Sequence, residues 1–396
     1  MRCANTGCLG LILSVAFMQF TSVNAEEIIP IGPGSYPVAS TNFQVAQEYQ
    51  SLTGEEMDTY LSGHRTWYGS ATYITDVMQH PAAVWTVNVN VPDISEIYAA
   101  DAGETIPVAA FITYPTTDEI AAKPYEFPYH DSDYGSFAHM LQPNEAPVFA
   151  EPNKRYPLVV LAHGGSAHGV YDIGHANRIA SHGYIVAVVF YGDNRFARPL
   201  SNNNQIGFLR PLLTKAVVDS IVNSEAFGQH IEANNIGVSG HSFGGFTALA
   251  LAGGNIQANP NSVKDTRVKA AVAAAPWTGG SNGEEVFYAF GPNNNSLSAV
   301  TVPTITLFGT RDTVTTKESI LPAMRQLSGP TYVVELVDQP HVFEGGAWQD
   351  RDNWELLFFN AYLKADPEAL SLLATGTSMQ GGNADRQLFE YQSGIE

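Results

Sequence analysis

The chain of 396 residues carries 39 acidic against 19 basic residues, a formal net charge of −20, with 35 glycines, 23 prolines and two cysteines. Such a surface repels phosphate backbones and anionic membranes, so nucleic acid is not an expected partner, since binding there rests on clustered Lys and Arg. Only 15% of residues are charged while Gly, Asn, Ser and Thr abound, which fits a loop-rich α/β protein and argues against a helical bundle.

At the amino end, Met1-Arg2 precedes an apolar run from Cys8 to Phe20, then Thr-Ser-Val-Asn-Ala and an acidic start at Glu26. This is the layout of a secretory signal over residues 1–25, cleaved after Ala25. The run is too short to span a bilayer, so no membrane span is expected in the mature form. Cys3 and Cys8 both fall in this segment, leaving a mature chain without cysteine. A body of about 370 residues buries enough core to stand without disulfides. The expected location is secreted or periplasmic. Residues 26–80 read as an amino-terminal extension with one helix, Phe43 to Tyr60, residues 81–365 as the main domain, and residues 366–396 as a carboxyl-terminal tail.

Two runs, Ala83 to Val91 and Pro107 to Tyr114, have the alternating or apolar character of strands. Tyr114-Pro115 ends the second. A polar, aromatic-rich insertion with Pro124, Pro128, Pro143 and Pro147 follows to Arg155; its length suits either a functional loop or a surface excursion packed on its own aromatics. Beyond Tyr156 the pattern becomes regular. Strands are predicted at Leu158 to Ala162, Tyr184 to Phe190, Ile236 to Val238, Val268 to Ala274, Thr304 to Phe308 and Tyr332 to Val337. They alternate with helices at Asp172 to Ser181, Ile206 to Ser224, Phe243 to Ala252 and Lys317 to Leu327, and Trp354 to Leu363 closes the domain. Apolar strands separated by helices predict an α/β fold, a mostly parallel central sheet flanked by helices on both faces. A site is then expected at the carboxyl ends of the strands.

The stretch Asn234 to Gly245 centres on Gly240-His241-Ser242-Phe243-Gly244, between the strand Ile236 to Val238 and a small-residue helix. That is the context of a nucleophile elbow, in which Ser242 takes a strained conformation and the glycines at 240 and 244 let strand and helix approach. His163-Gly164-Gly165-Ser166 follows the strand Pro-Leu-Val-Val-Leu-Ala. A Gly-rich turn there can present amide donors to a developing oxyanion, one from Gly165 and a second from Phe243. Asp312 follows the strand Thr-Ile-Thr-Leu-Phe and its Gly turn. Thr315 and Glu318 form a Thr-x-x-Glu capping box for the next helix, which frees Asp312 for another task. Asp338, three residues before His341, is the runner-up acid. The order Ser242, Asp312, His341 is that of the α/β-hydrolase triad, with His341 as base and Asp312 orienting it. Such a site completes its chemistry without a metal or organic cofactor. His168, His175 and His182 recur at seven-residue spacing without acidic or cysteine neighbours that would complete a metal site; they read as surface or supporting residues. Trp348, Trp354 and Phe358 read as core.

From about Val108 to Leu363 the chain resembles an α/β-hydrolase of the dienelactone-hydrolase-like group. Gly-His-Ser-Phe-Gly-Gly at 240–245 is similar to the nucleophile motif of platelet-activating-factor acetylhydrolases, although Ala275 stands where that family has its acid. Ala275-Pro276-Trp277 and Val302-Pro303-Thr304 resemble bacterial cutinases and polyester hydrolases. By that resemblance Trp277 would line the substrate cleft. The segment Gly279 to Leu297, with Val286-Phe-Tyr-Ala-Phe290 at its centre, is an addition to the compact polyester-hydrolase pattern and a candidate lid. The expectation is an exported serine hydrolase of carboxylic esters, small or polymeric. A peptidase or other acyl hydrolase on the same fold and a non-catalytic binding protein are the alternatives.

Overall fold

The computed structural model describes residues 26–41, 85–118, 125–126, 136–137, 139–141, 146–165, 167, 169–191, 203–256, 263–279, 289–382 and 385–387. The expected signal segment 1–25, the predicted helix from Phe43 to Tyr60, His168 and residues 280–288 of the candidate lid lie outside the described residues.

The central sheet contains β1 (Val38–Thr41), β2 (Trp85–Asn90), β3 (Thr105–Pro115), β4 (His139–Leu141), β5 (Tyr156–Ala162), β6 (Ile185–Phe190), β7 (Ile231–His241), β8 (Val268–Ala274), β9 (Thr304–Gly309), β10 (Thr331–Leu336) and β11 (Asp385–Gln387). Their order is β11-β10-β9-β8-β7-β5-β6-β3-β1-β4, with β2 also paired to β3. The six strands from β10 to β6 are mutually parallel. β3 runs antiparallel to β6, to β2 and to β1, and β11 runs antiparallel to β10.

Two helical layers cover the sheet. One face packs α2 (Asn203–Val222), α3 (Phe243–Ala252) and α4 (Lys317–Met324); the other packs α1 (Ile173–Ser181), α5 (Ala347–Leu363) and α6 (Pro367–Thr375). β5 shows why its sequence is apolar throughout. Leu158, Val160 and Ala162 face the first layer while Val159 and Leu161 face the second, as the two-residue period of a strand requires. Each such Val or Leu contributes about 1.5–3 kcal/mol by leaving water.

The predicted α/β architecture is the one observed, and the bounds of several elements differ. The closing helix begins at Ala347 and not at Trp354. Arg351 in its first turns is 2% exposed and Glu355 fully buried, so charged residues point inward and the apolar period is broken there. β7 begins at Ile231, and its pairing to β5 is irregular between Ile231 and Ile236, which is why the polar residues at the start gave no strand signal. Both ends of the described chain are tied to the body: Glu26–Ile28 pairs in parallel with Gly376–Met379, β1 joins β3, and β11 extends the sheet beyond β10.

Candidate active site

β7 runs directly into α3, and Ser242 at the junction has φ 56° and ψ −116°. A non-glycine residue in such a region costs roughly 1–3 kcal/mol and persists only where its surroundings fix it. Here the Ser242 N–H donates to the Ala274 carbonyl (2.8 Å), and the Ser242 carbonyl accepts from Trp277 N–H (3.0 Å) and Phe246 N–H (3.2 Å). The flanking glycines are a steric requirement. A Cβ on Gly240 would stand 2.3 Å from the Gly244 carbonyl carbon, and one on Gly244 only 1.8 Å from the Ala162 oxygen.

β9 and β10 lie side by side, pairing Gly309 with Leu336, so the loops beyond them leave the same sheet edge. They are bonded to each other by Thr310 N–H to Leu336 O (3.1 Å) and Arg311 N–H to Gln339 O (2.9 Å). Asp312 and His341 ride on these loops. His341 Nε2 lies 2.9 Å from Ser242 Oγ, and His341 Nδ1 lies 2.8 Å from Asp312 Oδ2. The three predicted residues are therefore brought into one hydrogen-bonded chain.

Asp312 is 6% exposed. Burial alone would raise its pKa, but hydrogen bonds from His341, from the N–H and hydroxyl of Thr315 and from Val314 N–H outweigh it and hold the carboxyl below its ordinary value. An anion facing Nδ1 selects the Nδ1–H tautomer and leaves Nε2 to accept the serine proton. The expected capping box is not formed. α4 starts at Lys317 behind Thr316, without a side-chain cap. Thr315 Oγ1 instead lies 2.8 Å from Asp312 Oδ2, 3.0 Å from the Ala275 carbonyl and 3.1 Å from His341 Nδ1. Thr315 thus supports Asp312 directly, and the loop shape that allows this could not be read from a spacing of three. Asp338, the runner-up acid, has a largely exposed side chain paired with Arg311 at 2.9 Å.

A Cβ on Gly165 would lie 3.7 Å from Phe243 Cβ, so the two residues expected to donate to an oxyanion are neighbours. Phe243 opens α3, where the first amides of a helix have no acceptor within it. Trp277 is partly buried, with its ring 5.7 Å from that of Phe243 and 5.8 Å from that of Phe246. Phe246 in turn packs on Phe290 at 4.8 Å, and Phe290 is fully buried. The carboxyl end of the candidate lid segment is therefore core. Val314 and Val342, adjoining Asp312 and His341 in sequence, are 62% and 60% exposed.

His241 is a residue that sequence reasoning passed over. Its Nε2 lies 2.7 Å from the His341 carbonyl, and since a carbonyl only accepts, Nε2 carries the proton. Burial, reinforced by the charges of His341 and Arg351, pushes the His241 pKa down to about 3. It is a neutral donor to the backbone of the base. Arg210 is the other, a cation inside α2 with no exposed surface; its placement between apolar neighbours in Phe-Leu-Arg-Pro-Leu-Leu was the available signal.

His175 is not a surface residue. It is 8% exposed, with Nδ1 2.7 Å from Asp352 and Nε2 3.1 Å from Glu355, both supplied by α5. The partners are remote in sequence, which hid them. Burial would lower its pKa, but these carboxylates push it up to about 10. Of the other two histidines in that series, His182 donates from Nε2 to the Gly32 carbonyl (3.0 Å) and His168 lies outside the described residues. Trp354 and Phe358 are core as expected, whereas Trp348 is partly buried and lies 6.0 Å from His241.

A strand order of this kind with a strained residue at the β7–α3 elbow defines an α/β-hydrolase fold. A family model described as PETase, PET hydrolase-like, matches residues 170–366, just under half of the chain. The similarity supports a hydrolase acting on esters. It takes in positions 242, 277, 312 and 341 and begins after Gly165. No curated protein matches the chain.

Proposed function

We propose that the protein is an exported serine hydrolase of carboxylic esters. The observation that carries this reading is the hydrogen-bonded chain Ser242–His341–Asp312, at 2.9 and 2.8 Å. His341 Nε2 takes the Ser242 proton as Oγ attacks the acyl carbon. The tetrahedral oxyanion sits between the amides of Gly165 and Phe243, and His341 then hands the proton to the leaving alcohol. Water, activated by the same imidazole, attacks the acyl-enzyme and releases the acid. Trp277 and the exposed Val314 and Val342 offer apolar contact beside these atoms, which favours hydrophobic esters, the chemistry of the polyester hydrolases to which the chain is similar. Export rests on the layout of residues 1–25.

Initial rates with p-nitrophenyl esters from acetate to long acyl chains test the reading. The protein is expected to hydrolyse them with a chain-length optimum, and Ser242→Ala to lose the activity. A folded wild type that hydrolyses no ester refutes it.

A further inference from the structure

Arg210 lies within α2 and is completely buried. Placing a guanidinium there costs several kcal/mol unless its donors are well used. Nη1 donates to the His163 carbonyl (2.5 Å) and Nη2 to the Gly164 carbonyl (3.0 Å), with Nη2 also 3.3 Å from His163 Nδ1. Its Cζ stands 4.6 Å from the centre of the Tyr191 ring and 4.9 Å from that of Phe243. Tyr191 is itself held to α2, its hydroxyl 2.7 Å from Thr214 Oγ1, which donates to the Arg210 carbonyl at 2.7 Å.

We propose that Arg210 is a positioning residue for the oxyanion hole, fixing both of its halves through one buried cation. The inference rests on the ester-hydrolase reading above. Its geometry follows from the planarity of the peptide. The Gly164 carbonyl and the Gly165 N–H belong to one trans peptide unit and point in opposite directions. Arg210 holds the carbonyl, so the N–H is turned away from Arg210. The preceding peptide, between His163 and Gly164, is held in the same way. Among the described residues the Gly164 carbonyl is otherwise held from within its own loop, by Ala167 N–H at 3.3 Å and His163 Nδ1 at 2.9 Å. In a turn of two consecutive glycines such local bonds can move with the loop, whereas Arg210 ties it to α2. A donor that must be rotated into place during reaction contributes less than one already aimed. A charged donor on the carbonyl also polarises its peptide and strengthens the N–H on the far side. The second half is fixed by packing: the cation lies against the ring of Phe243, whose amide is the other donor of the proposed hole. Lysine cannot reproduce a planar fork that bonds two carbonyls and stacks on two rings.

The test compares wild type, Arg210→Lys, Arg210→Met and Ser242→Ala for ester kinetics and thermal melting, together with crystal structures of wild type and Arg210→Lys. Arg210→Lys is expected to lower kcat by about 10- to 100-fold, short of the loss of a whole oxyanion donor. KM should stay within about threefold, because the substrate's ground state does not use the hole. Affinity for a boronic-acid inhibitor, which carries a tetrahedral anion, should fall in parallel with kcat, and the Gly164–Gly165 peptide should be turned in the variant's crystal structure. Should Arg210→Met fail to fold, Arg210→Lys carries the comparison. A kcat within twofold of wild type in Arg210→Lys, or an unmoved Gly164–Gly165 peptide, overturns the proposal. If wild type itself hydrolyses no ester, the ester-hydrolase reading fails, and the orientation of that peptide in the two crystal structures decides the positioning role on its own.

Discussion

Gly244→Ala is the sharpest perturbation of the elbow. The added Cβ would stand 1.8 Å from the Ala162 oxygen and 2.7 Å from its carbonyl carbon, both backbone atoms of β5 that cannot swing aside as a side chain can. Restoring ordinary contact requires α3 and β5 to part by roughly 1.5 Å, a shift to which a close-packed interior yields at about 1–3 kcal/mol or more. The same movement carries the Ser242 end of α3 away from Gly165, and a misplacement near 1 Å costs about a hundredfold in rate. Gly174→Ala in α1 is the control: nothing lies within 4 Å of its added Cβ, so an alanine at this exposed second position of the helix should stabilise by at most about 0.5 kcal/mol. Thermal melts and ester kinetics on the two variants separate these effects. Gly244→Ala should melt well below wild type and lose at least about a hundredfold in kcat, while Gly174→Ala should melt slightly above it with kcat unchanged. A Gly244→Ala protein with wild-type melting and turnover would refute the argument that strand–helix contact sets the elbow.

His241→Phe keeps a ring beside Phe343 and Trp348 but removes the donor to the His341 carbonyl; kcat should fall about tenfold, the worth of one buried hydrogen bond, and stopped assays with a soluble ester would show it. His175 has a folded pKa raised to about 10 from 6.5, by Asp352 and Glu355 against the effect of burial. Its cation therefore contributes stability that is complete below about pH 6.5 and is lost as pH rises toward 10. His175→Gln should destabilise by about 3–5 kcal/mol at pH 7 and flatten the decline in melting temperature between pH 7 and 10; an unchanged slope in the variant would sink this account. Replacing Val314 and Val342 together by Ser should reduce product release from an insoluble polyester film by about tenfold, from lost apolar contact, with hydrolysis of p-nitrophenyl acetate within about threefold. Equal losses on both substrates would remove these valines from the surface that meets the polymer.

What could be read from the chain depended on whether a residue's partners lie along the sequence or across the fold. Gly240 and Gly244 declare their role because strand, turn and helix are contiguous, and β5 declares its burial because both of its faces are covered. Asp312 and His341 were legible one step further out, since adjacent parallel strands must deliver their following loops to the same edge. Thr315 marks the point at which local rules mislead. The spacing Thr-x-x-Glu is equally compatible with a cap and with a loop that folds back on Asp312, and only the position of the Ala275 carbonyl at 3.0 Å and of His341 at 3.1 Å decides between them. His175 and Arg210 lay beyond reach for the same reason in stronger form. Their charges are tolerated by carboxylates 177 and 180 positions away or by carbonyls 46 and 47 positions away, and a charge inside an apolar helix signals only that some distant partner exists. The two clusters sit on opposite faces of the sheet. On one face His175 and the carboxylates of α5 tie α1 to α5; on the other, Arg210 ties α2 to the turn after β5. Only the second cluster reaches the site, since that turn carries Gly165, whose distance from Ser242 sets where its amide can donate.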